Sequence, residues 1–276
     1  MKKVYKKKIL ITGGTGLLGK HFYNKYKKIY IIKNYPYRIE HFKRFENWIK
    51  GKKFDFFIHF AAITKNESKK FKNSLNIVNV KSPIKILNIF NKYKIINLSY
   101  FLFISSSHVY GFSKKKISET KKRIPNNIYG KTKKKVEDYI IYNRKKFSFK
   151  IGIARIFNST GPKQKKGNFV PDMIEKIKKN KKITNVNQYR DFIHIDDISK
   201  SINILIKKQI VEPINISSGM KINLIDACKI LNKKNSNKNL KFDMTRGKDI
   251  FGNNKLLKGL GINKFKSIKK TLLSYK

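Results

Sequence analysis

Two side chains in the segment Tyr129-Gly-Lys-Thr-Lys133 stand four residues apart. On a helix that spacing puts both on one face. A phenol beside an ammonium suits reduction of a carbonyl: one group gives a proton and the other steadies the anion left behind. A free tyrosine titrates near ~10, so one working at neutral pH must be depressed by ~3 units, about 4 kcal/mol of differential stabilisation. Lys133 is the group placed to do this. A hydroxyl to hold the carbonyl is available in Phe103-Ile-Ser-Ser-Ser-His-Val-Tyr-Gly111, where an apolar run ends in Ser105, Ser106 and Ser107. A Tyr/Lys pair at this spacing is also an ordinary surface pair, and in a chain with 59 lysines chance matches are expected. Its position after a hydroxyl-ended run favours catalysis.

Nearer the start, Thr12-Gly-Gly-Thr-Gly16-Leu-Leu-Gly19 follows directly on the apolar run 8–12. Glycines at 13, 16 and 19 let the chain turn tightly, let its backbone approach a pyrophosphate, and let the next helix pack closely. The helix opening at Leu17 and Leu18 then turns unpaired N–H groups toward the phosphates. A dinucleotide site is therefore expected at Gly13, Gly16, Leu17, Leu18 and Gly19, and a bound nicotinamide cation would help depress Tyr129. An Asp or Glu at the end of the second strand would read the ribose hydroxyls of NAD. Lys33-Asn34 stand there instead, with Arg38 beyond, and cations tolerate a 2′-phosphate. NAD(P) is expected, with NADP(H) slightly favoured and Lys33 as its contact.

These groups need a frame. Apolar runs at 8–12, 29–33, 54–60, 100–105 and 149–157 read as strands. Helical patterns at 16–27, 39–51, 68–93 and 127–144 separate them. Such alternation predicts an α/β fold, a doubly wound parallel sheet of Rossmann type with right-handed crossovers. Beyond it the alternation loosens: helix at 169–180, strand at 191–195, helix at 196–207, strand at 213–217, helix at 224–232. Residues 1–158 are assigned to the dinucleotide-binding domain, to which 190–207 return, and 159–276 to a smaller substrate-binding part.

Lys and Arg number 66 against 16 Asp and Glu, a net charge of +50. That balance invites a nucleic-acid reading. The lysines are dispersed, however, and Lys, Asn, Ile, Phe and Tyr share A/T-rich codons, so coding bias explains much of the excess. A hydrophobic fraction of 40% supports a sizeable core. One cysteine, Cys228, excludes an internal disulfide framework and a multi-cysteine metal site. No His/Cys/Asp/Glu spacing suggests any metal site, and His59 and His194 read as packed histidines. With neither a signal-peptide core nor a membrane span, a soluble protein of a reducing compartment, the cytoplasm, is expected.

The chain resembles the extended short-chain dehydrogenase/reductases, the NAD-dependent epimerase/dehydratase group that acts on nucleotide-linked sugars. Besides the glycine turn and Tyr129/Lys133, the resemblance rests on Asp55-Phe-Phe-Ile-His59-Phe-Ala61-Ala62, on Asn79-Val80, and on Val109-Tyr110-Gly111. It continues through Arg155-Ile-Phe-Asn158-Ser-Thr-Gly161-Pro162, Asn168-Phe-Val-Pro171, Arg190-Asp-Phe-Ile-His-Ile-Asp-Asp197 and Pro213-Ile-Asn-Ile-Ser-Ser-Gly219. It implies Ser106, Tyr129 and Lys133 as the catalytic set, and Ala61, Ala62 and Asn79 beside the cofactor. It places Ser107, Asn158, Phe169, Val170 and Arg190 against a nucleotide-sugar, and it implies a homodimer. Arg190 could instead pair with Asp191 or Asp197, and Asp196-Asp197 suit a helix cap. Two departures narrow the reaction. Only 20 residues separate the second strand from the third, which abbreviates the adenosine side. Dehydratases of the family carry an acidic pair where this chain has Ser107-His108, so elimination of water is disfavoured. Reduction of an NDP-4-keto-6-deoxyhexose, in the making of surface polysaccharide sugars, is favoured over 4-epimerisation; nucleic-acid binding on a reductase scaffold is the alternative from another class.

Overall fold

The computed structural model describes residues 5–64, 67, 70–94, 97–235 and 238–275. The basic start at 1–4, and Ser68 where the long helical pattern is expected to open, lie outside them. The chain begins β1 (Lys8–Thr12), α1 (Leu17–Tyr26), β2 (Ile31–Asn34), α2 (Phe42–Ile49) and β3 (Phe56–His59). A broken helix follows: α3 (Lys72–Asn76), a π-turn over Ile77–Lys81 and α4 (Ser82–Lys92). Next come β4 (Tyr100–Ser106), a 3-10 turn over Ser107–Val109, α5 (Ile128–Asn143) and β5 (Lys150–Ile156). The remainder is β6 (Asn158–Thr160), α6 (Phe169–Lys178), β7 (Tyr189–His194), α7 (Ile195–Lys208), β8 (Pro213–Ile216), β9 (Lys221–Asn223), α8 (Leu224–Asn235), α9 (Lys255–Gly259) and α10 (Ile268–Leu273). Among the described residues no helix is long and apolar enough to cross a membrane.

Six strands pair in parallel in the order β2-β1-β3-β4-β5-β8. Successive strand residues face opposite ways, and in the inner strands both ways are buried, so these are largely apolar. The edge strand β2 alternates exposed and half-buried residues. On one face Ile9 and Ile11 meet Phe22 of α1 and Ile198 and Ile202 of α7. On the other, Leu10, Phe57 and Phe101 meet Phe45 of α2, Phe90 of α4 and Val136 and Ile140 of α5. The order reverses between β1 and β3, and such a reversal opens a crevice at the strands' carboxyl ends. β2 is the sheet's edge, so the single short helix α2 is all that the 20-residue connection holds.

A second sheet, β6-β7-β9, carries another core, in which Val170 and Met173 of α6, Ala227 and Leu231 of α8 and Leu272 of α10 pack together. The stretch 190–207 is divided between the two layers. Arg190 and Asp191 stand on β7 in the small sheet, while α7 lies on the large one, whose outer edge β8 completes. α7 is capped by His194, whose Nδ1 accepts from the Asp196 N–H at 3.0 Å, and not by the acidic pair. Asp196 instead ties α7 to α1 and to the later chain, through His21 at 2.8 Å and Lys266 at 2.7 Å.

The glycine turn joins β1 to α1 under tight steric limits. Gly13 has φ +71°, and a Cβ there would lie 2.6 Å from the Ala61 nitrogen. At Gly19 a Cβ would strike the Gly13 carbonyl, whereas at Gly16 the nearest atom is that same oxygen at 3.3 Å. Gly13 and Gly19 therefore serve the fold, and Gly16 alone keeps an open flank. We expect Gly13→Ala to destabilise the protein by at least 1 kcal/mol, on the order of the cost of a left-handed non-glycine residue, and Gly16→Ala to leave the urea midpoint nearly unchanged. Equal midpoints for the two variants would refute this division.

His59 closes β3, buried and ring-stacked between Phe57 and Phe103 at 6.2 and 6.1 Å. Its Nδ1 shares a hydrogen bond with Thr12 Oγ1 at 2.9 Å, and its Nε2 has no partner. Burial pushes the imidazole pKa down to about 3, and Lys133 acts in the same direction. The unfolded chain binds this proton below ~6.5, the folded one only near the depressed value, so stability is lost as pH falls through that window. For His59 alone the loss between pH 7 and 5 is about 2 kcal/mol. His59→Asn, which keeps an acceptor for Thr12, should remove about that much of the pH dependence of urea unfolding; an unchanged dependence would contradict it.

Candidate active site

α5 meets β4 through side chains spaced one turn apart. The helix is capped by Asn127, whose Oδ1 accepts from the Gly130 N–H at 2.9 Å. Gly130 has no side chain because its Cα rides against the His108 carbonyl. Lys133, 2% exposed, donates from Nζ to the Ile104 carbonyl at 2.8 Å and stands 4.7 Å from the Phe103 ring centre and 5.9 Å from that of Tyr129. Burial pulls its pKa down to about 7, opposed by Glu137. Burial likewise pushes Tyr129 up to about 12, with the Ser106 hydroxyl opposing and the field of Glu67 adding to the rise. The depression of Tyr129 by Lys133 expected from their spacing is thus outweighed here. The amine is engaged with a backbone carbonyl, and the Tyr129 side chain is half-buried. Ser106 accepts from the His108 N–H at 3.3 Å, and the His108 ring stands edge-on to Tyr129 at 5.8 Å. Ser106, Tyr129 and Lys133 are brought together.

Beneath them lies a polar network that the motif reading missed. Glu137, fully buried, accepts from Ser105 Oγ at 2.6 Å, from Arg155 Nη2 at 2.7 Å and from Arg123 Nη1 at 3.0 Å. Arg155 passes a further bond to the Tyr110 hydroxyl at 2.6 Å, and Tyr110 donates to Asn215 at 2.8 Å. The signal was in the sequence: 129, 133 and 137 continue one four-residue stripe.

On the cofactor side, Gly13 touches Ala61, and the loop beyond Ala62 is fastened by Asn79. The Asn79 amide takes both backbone groups of Ile63, accepting from N–H at 2.8 Å and donating to C=O at 2.9 Å, and reaches Thr132 of α5 at 3.3 Å. Its place on the π-turn aims it inward. In this structure it bridges the π-turn to the loop after β3 and to α5. At the end of β2, Lys33 is exposed, whereas Asn34 turns back and accepts from the Gly14 N–H at 3.0 Å. α1 has no side-chain cap and no acid in its first turn, so its first N–H groups have no side-chain acceptor at the cap. Those features fit a dinucleotide pyrophosphate.

The residues expected at the substrate are more scattered. Ser107 is buried in the turn after β4. Asn158 donates to the Asp191 carbonyl at 3.0 Å, and the Phe169 ring packs on Phe192 at 5.3 Å. Val170 is sunk in the second core, its side chain occupied in packing. Arg190 pairs with neither Asp191 nor Asp197. Its guanidinium donates to the carbonyls of Tyr189 and Lys248 and to Gln188 Oε1, at 2.9, 2.8 and 2.8 Å. Asp191 faces the other way, accepting from Ser217, Ser218 and Gly219.

A reversal of strand order, an uncapped glycine turn and a Ser/Tyr/Lys set at the end of β4 together invite comparison with known proteins. The chain is 28% identical over 267 residues to a dTDP-D-glucose 4,6-dehydratase of Dictyostelium discoideum, which covers 80% of this chain but 61% of that relative's length. It is 29% identical over 226 residues to a GDP-6-deoxy-D-talose 4-dehydrogenase of Aggregatibacter actinomycetemcomitans, over 77% of this chain and 75% of the relative. The fold matches a UDP-glucose 4-epimerase of Thermotoga maritima, solved with UDP-glucose, at a TM-score of 0.86 and 20% identity, over 97% of this chain and 96% of that one. The sequence pattern of one family spans residues 9–217, and the chain belongs to it: the NAD dependent epimerase/dehydratase family, enzymes of nucleotide-sugar chemistry.

Proposed function

We propose that the chain is a nucleotide-sugar 4-ketoreductase, which turns the C4 ketone of an NDP-4-keto-6-deoxyhexose into an alcohol. The observation that carries this reading is the turn after β4. Ser107 and His108 follow Ser106 there, with the His108 ring against Tyr129. Removing water from a sugar needs a base for a carbon-bound proton, and that turn holds no carboxylate. A bound nicotinamide dinucleotide supplies the hydride. Tyr129 gives its proton to the C4 oxygen, Ser106 donates a hydrogen bond to the same oxygen, and Lys133 balances the phenolate until solvent restores the proton. Gly13, Gly16, Gly19 and the start of α1 would hold the pyrophosphate, and Arg190, whose donors end on neutral acceptors, would turn toward the sugar diphosphate.

NADPH is the proposed partner of this step. No acid stands at the end of β2, Asn34 is already committed to Gly14, and Lys33 is exposed beside them. Release is favoured too, because the sheet ends at β2 and few residues wrap the adenosine. A 4-epimerase would gain by retaining its dinucleotide, since losing it strands a keto intermediate.

We expect the purified protein to carry little dinucleotide and to oxidise added NADPH stoichiometrically with an NDP-4-keto-6-deoxyhexose, followed by absorbance at 340 nm with NADH in parallel. Tightly held NAD with interconversion of 4-hydroxy epimers would establish epimerisation instead, and release of a 4-keto-6-deoxy product from an NDP-hexose would establish dehydration. In the same assay Tyr129→Phe should lose ~10²–10⁴-fold in turnover and Lys133→Met should be inactive, both still binding dinucleotide in a fluorescence titration. Retention of more than about a tenth of wild-type turnover by Tyr129→Phe, against that range, would sink the assignment.

A further inference from the structure

We propose that Glu137 is a positioning residue of this site: its carboxylate fixes the register of α5 on β4 and keeps the Lys133 side chain a cation during the reaction. The inference rests on the reading of Tyr129 and Lys133 given above. Tyr129, Lys133 and Glu137 form one stripe of α5, and the last three residues of β4 answer them in kind. Lys133 takes the Ile104 carbonyl, Glu137 takes the Ser105 hydroxyl, and Tyr129 stands by Ser106. A slip of the helix would break all three together.

The charges make the stronger argument. Two guanidiniums converge on the Glu137 carboxylate: Arg155 through Nε at 3.1 Å to each oxygen and Nη2 at 2.7 Å, and Arg123 through Nη1 at 3.0 Å. Arg123 is shared with Asp138 at 2.7 Å, but Arg155 is almost fully buried and has Glu137 as its one ion-pair partner among the described residues. Without the carboxylate, Arg155 and Lys133 would both be buried cations lacking a counter-charge, and the lysine is the one able to neutralise, because an arginine stays charged. The other groups facing Lys133 do not replace it. His59, from β3, stays neutral at pH 7, and Tyr129 is an uncharged phenol, so neither supplies a compensating charge. Burial already pulls Lys133 down to about 7, and Glu137 is the group that opposes it. A small change in the field therefore decides its charge under working conditions.

The test needs a readout that a mere bolt would not move. With 15Nζ-labelled lysine, one resonance should titrate near neutral pH, far from the others, and be missing in Lys133→Met. Glu137→Gln keeps the size and the acceptor for Ser105 but removes the charge, and should lower that midpoint by about one unit or more. Arg123→Gln, which frees the carboxylate from a competing cation, should raise it. The alkaline limb of the pH–rate profile should move the same two ways. If Glu137→Gln folds, by near-UV circular dichroism, and its midpoint is unmoved, Glu137 is only structural and the proposal falls. If that variant does not fold, a midpoint in Arg123→Gln that stays put or drops overturns the proposal. Shifts as expected in both variants, with full turnover retained by Tyr129→Phe, would leave this coupling standing and reject the catalytic assignment alone.

Discussion

A parallel sheet buried on both faces leaves polar chemistry one place to go. The inner strands β1, β3, β4 and β5 are covered on one face by α1 and α7 and on the other by α2, α4 and α5. Side chains in the middle of these strands are therefore apolar, and polar groups collect where the strands end. Thr12, His59, Ser105 and Ser106 all stand at carboxyl ends of neighbouring strands. Parallel pairing brings those ends to one edge, and the reversal of order between β1 and β3 opens that edge as a crevice. The site follows from the sheet.

Burial at that edge is costly for charge, and the structure meets the cost by connection. A buried ion loses several kcal/mol of hydration unless partners replace the water. Lys133 has a carbonyl and an aromatic face, Glu137 has two guanidiniums and a hydroxyl, and Asp191 has two hydroxyls and backbone N–H groups. His59 takes the other course and stays neutral, with one ring nitrogen unpartnered. These groups are not interchangeable. Removing one partner leaves another buried charge exposed to the full penalty, so the network specifies its own geometry more than it adds net stability.

Much of the frame was legible because it is periodic. β1 runs over 8–12 as its apolar run predicts, and α5 runs over 128–143 against an expected 127–144. The glycine turn and the Tyr129/Lys133 pair could be read as spacing within predicted elements, whereas Ser106 was singled out from Ser105 and Ser107 by the family resemblance. What escaped was short or long-range. β6 and β9 have three residues each and α9 five, too few to show a period. The π-turn that aims Asn79 inserts one residue's worth of rotation into a helix, which hydrophobic pattern does not register. His194 as cap, Asn34 folded back on Gly14, and Arg155 on Glu137 join residues 2 to 20 positions apart, and only the third has a stripe to announce it.

The scarcity of acids bears on what the edge can do. With 66 cations and 16 anions, ion pairs cannot hold this chain together, and the exposed ones contribute little. Cohesion comes from the aromatic and aliphatic layers, and the excess charge works against it most at low salt, where screening is weakest. The few carboxylates near the end of β4 are already occupied. Glu137 holds Arg155, and Glu119 accepts from the Asn215 N–H at 2.9 Å. Glu67, whose field reaches Tyr129, lies on an exposed loop and accepts from Thr64. That leaves the Tyr129 phenol and the Ser106 hydroxyl at the end of β4, with the Lys133 amine held on the Ile104 carbonyl behind them. Such a set moves protons on oxygen readily, where the lone pairs of a carbonyl and its alcohol are the reacting sites.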